Sequence, residues 1–129
     1  MDGLTHGLLQ RRHGDAQEVI ERIALYVLQR EQIFADSVQR DERIAALAPQ
    51  VAALVIIAEW LAYVEWEGYA SARHMKFDSM LAQLSTTLQL PLLAEQLQQA
   101  VSFQQFEALR PVLFAALLEH VQQHVALFP

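Results

Sequence analysis

The 129 residues of the chain suit a single domain, and the absence of cysteine excludes disulfides, zinc–thiolate sites, iron–sulfur clusters and thiol catalysis. The formal net charge is −6, and residues 49–129 carry only three basic side chains, Arg73, Lys76 and Arg110, so we expect no nucleic-acid binding. Hydrophobic residues make up 53% of the sequence, a high share for a small monomer, which predicts apolar surface that a ligand or a partner covers.

Residues 1–14 contain three of the four glycines, and we predict a flexible N-terminal segment or a short helical turn there. The segment has an early acid and no long apolar core, so it does not resemble a secretory signal. A cytoplasmic location is the simplest expectation.

A first helix is predicted to begin at Asp15, because Glu18 follows three residues later in the position of a capping box. It would run for about 30 residues or break near Arg40–Arg43. Apolar residues at helical spacing form its predicted buried stripe: Ile20, Ile23, Val27, Phe34 and Val38.

The next predicted helix is apolar on nearly every side. Pro49 suits its first turn, and the stretch from Val51 to Trp66 is interrupted only by Glu59 and Glu65. A helix that is apolar all round is enclosed by other elements, so we predict a buried central helix near residues 50–67. The uninterrupted apolar stretch is too short for a typical membrane span, and no membrane association is expected.

Further helices are predicted over residues 78–88, 91–100 and 102–127. Ser102 and Gln105 form an S-x-x-Q capping box at the start of the last region. The pair Arg110-Pro111 predicts a helix end or a kink within it, because a residue that precedes proline disfavours helical geometry. Residues 15–129 are therefore predicted to form an all-α, single-domain bundle of five or six helices.

The central helix also carries the main candidate site. Trp60, Tyr63, Trp66 and Tyr69 follow one another at three-residue steps, and with Glu59 they could line a groove for a ligand or a partner. The alternative interpretation is ordinary core and rim packing. Glu59 itself could act in a pocket as a general acid or base, or lie at a polar edge or beside an arginine, because an unpaired buried carboxylate is costly.

His120 and His124 lie four residues apart on the last predicted helix, a spacing that places two imidazoles on one face. A divalent metal would need a third ligand such as His6, His13 or His74. The alternative is two solvated histidines near a helix C-terminus, where positive charge suits the helix dipole. We expect no cofactor, and a divalent metal at His120 and His124 is the exception considered.

The sequence contains no catalytic constellation and no glycine-rich phosphate loop, which favours a function other than catalysis. We interpret the chain as a protein–protein interaction module of the adaptor, regulator or inhibitor type that associates with itself, most simply as a dimer. The alternatives are a helical bundle that binds a small molecule or a metal and a helical accessory domain of a larger enzyme.

Overall fold

A computed structural model describes residues 3–11 and 15–129, and these residues form helices joined by turns, with no β-strand among them. The all-α, single-domain bundle predicted from the sequence is confirmed, but the described residues form eight α-helices where five or six are predicted. The helices are α1 (Leu4–Arg11), α2 (Ala16–Arg30), α3 (Arg40–Ala45), α4 (Pro49–Glu67), α5 (Tyr69–Ala72), α6 (Phe77–Ala82), α7 (Pro91–Gln99) and α8 (Phe103–Gln123). A π-helical segment at Gln83–Thr87 follows α6, and a 3-10 turn at Val125–Leu127 follows α8.

Helix α4 is the centre of the bundle. It contacts α2, α3, α5, α6, α8 and the π-helical segment, and nine of its 19 residues are buried. The predicted buried central helix near residues 50–67 is therefore confirmed. Within the part of the chain that the structure describes, no helix is both long enough and apolar enough to span a membrane.

The two helix starts that carry capping signals lie where the sequence predicts them. The Asp15 carboxylate accepts a hydrogen bond of 2.9 Å from the backbone N–H of Glu18 at the start of α2. At the start of α8, Ser102 and Gln105 form both hydrogen bonds of a capping box. Each cap satisfies backbone N–H groups that a helix leaves unpaired at its first turn.

Helix α2 ends at Arg30, so the prediction of a helix of about 30 residues is wrong, and the break also comes earlier than the alternative position near Arg40–Arg43. Gln32 adopts a left-handed conformation (φ +56°), and the N–H of Ile33 reaches the carbonyl of Leu28 in a Schellman motif. The Arg43 guanidinium also donates to the carbonyls of Glu31 and Gln32. Consequently two residues of the predicted buried stripe, Phe34 and Val38, lie in the exposed turn beyond the helix.

Helix α8 continues through Pro111, so the helix end predicted at Arg110 is not observed. Proline removes one backbone hydrogen bond inside a helix. Buried side chains lie on both sides of this position, Phe106 before it and Leu113 and Phe114 after it. Their packing holds the two halves of α8 as one element.

The two ends of the described chain lie side by side. The backbone N–H of Thr5 in α1 donates to the carbonyl of Pro129 at 2.7 Å, and Leu8 and Phe128 are both buried. Residues 4–11 thus form a helix inside the segment 1–14, whose predicted flexibility stays a prediction. Residues 1, 2 and 12–14 lie outside the described residues.

Candidate functional site

An open groove of about 530 Å³ runs between α2 and α4, and we call it the α2–α4 groove. The two helices are antiparallel, because Gln17 near the start of α2 donates to Glu65 near the end of α4. The groove follows α4 from Val55 to Glu67, which is about 18 Å at the helical rise per residue. Its apolar lining consists of Ala24, Leu25, Leu28, Val55, Ala58, Ala62, Tyr63 and Trp66. Its charged lining consists of Glu21, Arg40, Glu59 and Glu67.

The five predicted groove residues separate into two groups, and Tyr69 lies beyond the central helix, in α5 after Gly68. Glu59, Tyr63 and Trp66 line the α2–α4 groove, whereas Trp60 and Tyr69 do not. A step of three residues turns by about 300°, so successive members of the row rotate by about 60° around the helix. Trp60 is therefore 1% exposed and Trp66, two steps later, is 85% exposed.

Trp60 and Tyr69 belong to an aromatic cluster in the core. The Trp60 ring lies 5.2 Å from the Phe77 ring and 5.7 Å from the Phe106 ring between centroids, and its indole N–H donates to the carbonyl of Ala72 at 2.9 Å. The Tyr69 ring stacks on Phe106 at 4.7 Å, and its hydroxyl donates to a backbone carbonyl. For these two residues the structure corresponds to core packing, the alternative interpretation of the aromatic row.

Glu59 is partnered by an arginine, one of the two environments predicted for it outside a catalytic pocket. The Arg40 guanidinium donates to its carboxylate at 2.6 Å, and the side chains are 19% and 21% exposed. Nothing in the spacing along α4 indicates Arg40, because it lies on the short helix α3. The Arg40 guanidinium therefore neutralises the negative charge of Glu59 in the groove.

Tyr63 lies beside the same carboxylate. Burial and the neighbouring negative charge of Glu59 raise the pKa of its hydroxyl, and the Lys76 ammonium opposes this shift. Lys76 is bound to Asp41 at 2.8 Å, and that hydrogen bond raises the pKa of the lysine. Glu59 and Tyr63 thus form a polar ridge on α4 with Arg40 on one side and Lys76 on the other.

A second cavity, of about 350 Å³, lies across this ridge from the α2–α4 groove. Glu59 and Tyr63 line both spaces, and Trp60 lines the second one with only a small part of its surface. The other polar side chains of the second cavity are Asp41, Lys76, Ser79 and Gln83. Gln83 begins the π-helical segment, a geometry that is frequent at functional sites.

The two histidines proposed as metal ligands do lie together. The rings of His120 and His124 are 5.0 Å apart, but His120 is buried and its Nε2–H donates to the carbonyl of Gln50 at 2.9 Å. Burial lowers the pKa of His120, and the carbonyl partly opposes this shift. Of the proposed third ligands, His74 is exposed in the turn after α5 and His13 lies outside the described residues. Within residues 3–11 and 15–129 no three His, Asp or Glu side chains come together as a metal-binding group.

The chain belongs to the family described as the YfbN C-terminal domain, whose model matches residues 3–106. The match extends from before α1 into the first turn of α8 and includes every residue that lines the α2–α4 groove and the second cavity. His120 and His124 lie outside it. No curated protein and no solved structure matches the chain.

Proposed function

We propose that this protein is a non-enzymatic protein–protein interaction module, an adaptor, regulator or inhibitor that binds a helical segment of its partner in the α2–α4 groove. The observation that carries the proposal is the exposure of Trp66, because tryptophan is mostly buried in folded chains and is enriched at interface hot spots. Leu25 lines the same groove from α2 and is 51% exposed. A bound partner would remove both side chains from water.

The shape of the groove suits a helix. Ala24, Ala58 and Ala62 contribute small side chains to its lining, which allow a partner backbone to approach closely. A length of about 18 Å accommodates about three turns of a bound helix. Apolar anchors at positions i, i+3, i+4 and i+7 of such a helix would contact Leu25 and Trp66 from one face, the usual mode of helix-in-groove recognition.

A panel of three synthetic helical peptides tests the proposal. All carry the same leucine stripe and no tryptophan, and their remaining positions are basic, neutral or acidic. Binding by the full chain is measured by calorimetry and by a blue shift of the tryptophan emission, which reports on Trp66 because Trp60 is already buried. We expect at least one peptide to bind, and we expect Leu25→Ala and Trp66→Ala to weaken it by about tenfold each.

The matched control for Leu25→Ala is Leu92→Ala, which truncates the same type of side chain on α7. Leu92 is 75% exposed and lines none of the cavities described above. Leu92→Ala should leave the affinity unchanged. If none of the three peptides binds, or if the two groove substitutions and Leu92→Ala have equal effects, the α2–α4 groove is not a docking site and the proposal falls.

Self-association is the second part of the proposal, and the apolar composition supports it. Native mass spectrometry under gentle conditions tests it directly. A dimer at micromolar concentration would support this part, and a monomer across the concentration range would refute it. Neither outcome affects the peptide experiment, because peptide binding does not require a second copy of the chain.

A small-molecule site is the second candidate function, and the second cavity favours it. Its volume lies within the range of ligand pockets, and Tyr63, Lys76 and Gln83 place polar groups around an apolar base. Extra mass on the natively purified chain that is lost on denaturation would support this candidate. Tyr63→Phe and Lys76→Met should then reduce the bound fraction.

The description of the matched family as a C-terminal domain supports a further alternative, in which this fold is an accessory domain of a longer protein. The α2–α4 groove would then contact another domain of the same polypeptide. Fusion of the chain to a neighbouring domain from a longer family member tests this alternative, because an intramolecular contact would protect Trp66 from solvent quenchers.

A further inference from the structure

One end of the α2–α4 groove is acidic. Gln17 donates to Glu21 at 3.0 Å and to Glu65 at 3.5 Å, which brings Glu21 on α2 beside the last turns of α4. Glu67 lines the groove next to Trp66 in the same region. Glu65 is paired with Arg110, whereas among the described residues neither Glu21 nor Glu67 takes part in an ion pair.

The other end of the groove is neutral. Leu28 and Val55 line it, and the Glu59 carboxylate there is held by Arg40 at 2.6 Å. The groove therefore combines an apolar floor along its length with two uncompensated carboxylates at the Trp66 end. Charges at the rim of an apolar groove select partners by complementarity.

From this distribution we infer that the partner segment is a basic amphipathic helix. Its apolar stripe covers about three turns, and Lys or Arg side chains at one end lie over Glu21 and Glu67. The inference rests on the proposed function of the groove and adds the chemistry of the partner to it. Among the residues that the structure describes, a second copy of this chain offers no basic segment that meets that requirement.

The basic side chains that the structure describes are already engaged. Each Lys or Arg whose side chain the structure describes donates to a carboxylate or to a backbone carbonyl: Arg22, Arg30, Arg40, Arg43, Arg73, Lys76 and Arg110. Two copies that met groove to groove about a two-fold axis parallel to the groove would bring equivalent carboxylates together. Like charges that face each other across an interface weaken it. About an axis across the groove, the acidic end of each copy would instead face the other end of its partner, where Arg40 is already paired with Glu59.

The same three peptides test the inference when their affinities are ranked. At low ionic strength the basic peptide should bind the full chain about tenfold or more tightly than the acidic peptide, and the ratio should shrink as salt is added. In the variant Glu21→Gln/Glu67→Gln the ratio should fall to about twofold. The control Glu95→Gln/Glu119→Gln removes the same two charges from α7 and α8 and should keep the preference.

The outcomes separate the inference from the proposed function. Equal affinity for all three peptides, with loss of binding in Trp66→Ala, would retain the docking groove and overturn the basic partner. If the preference for the basic peptide survives Glu21→Gln/Glu67→Gln, its cause is the overall charge of the protein, and the inference is also overturned. A homodimer that the peptide displaces and that Trp66→Ala dissociates would place a second copy in the groove instead.

Discussion

The two tryptophans of the chain lie six residues apart on α4, and the structure predicts opposite consequences for their removal. Trp60 is 1% exposed and packs against three aromatic rings, and its indole N–H is bound to the Ala72 carbonyl. Truncation of a large buried aromatic residue to alanine costs about 3–5 kcal/mol in lost transfer energy and residual cavity. Trp60→Ala therefore removes a large part of the 5–15 kcal/mol typical of a small domain.

Trp66→Ala should behave differently. With 85% of Trp66 exposed, the substitution removes little buried surface, and the free energy of unfolding should change by about 0.5 kcal/mol or less. Alanine is also the better helix former, which offsets part of any lost packing.

Urea unfolding followed by far-ultraviolet circular dichroism measures both effects without relying on tryptophan emission. With a slope of about 2 kcal/mol per molar urea, Trp60→Ala should lower the midpoint by about 2 M and Trp66→Ala by about 0.3 M or less. Leu92→Ala, exposed on α7, provides the reference for a side chain in water. A Trp66→Ala variant that loses more than about 2 kcal/mol, or a Trp60→Ala variant that loses less than 1 kcal/mol, would refute the assignment of the two faces of α4.

Three further predictions concern single positions in the core and at the helix ends. Leu61→Asp should prevent cooperative folding, because it introduces a charge on the buried central helix, and a soluble variant with a sharp thermal transition would contradict this expectation. The pKa of His120 is lowered in the folded state, so below pH about 6.5 the unfolded chain binds more protons than the folded chain. The free energy of unfolding should therefore fall as the pH is lowered, by at most about 1.4 kcal/mol per pH unit. His120→Gln should reduce this dependence, and an unchanged pH profile of the unfolding midpoint would count against the assignment. Arg73 donates hydrogen bonds to backbone carbonyls at the end of α7. Arg73→Met should therefore lower the free energy of unfolding in urea by about 2 kcal/mol. A decrease below about 0.5 kcal/mol would show that water replaces these bonds.

The parts of the fold that the sequence predicts are those with a local physical cause. Asp15 and Ser102 are followed three residues later by side chains that complete their caps, and these interactions need no tertiary context. The central helix is predictable for a similar reason, since a stretch that is apolar on every side has no stable position except inside the bundle.

The turns are less predictable because this chain makes several of them without glycine. Gln32, Gln39, Lys76 and Gln89 all have a positive φ, a region that residues with a side chain adopt rarely. Sequence reasoning relies on glycine to mark such positions, so a helix end at Arg30 carries no visible signal. Tertiary contacts compensate for the strain, such as the bonds from Arg43 to the carbonyls at the end of α2.

Only the α4 half of the candidate site is readable from the sequence. Glu59, Tyr63 and Trp66 share a face of one helix, and periodicity can group them. Leu25 and Arg40 reach the groove only because α2 and α3 pack against α4, and no spacing along the chain encodes that contact. The exclusion of Trp60 depends on which face of α4 the aromatic cluster occupies, and that of Tyr69 depends on the helix break at Gly68, after which α5 begins.

The hydrogen bond between Thr5 and Pro129 places the first described helix beside the last described residue. A fold whose ends meet can be rejoined there by a short linker and opened at an exposed turn, such as the one between α2 and α3, without changing which side chains pack around α4. The same geometry allows the whole bundle to be inserted into a surface loop of another protein, with both connections leaving from one side of the molecule.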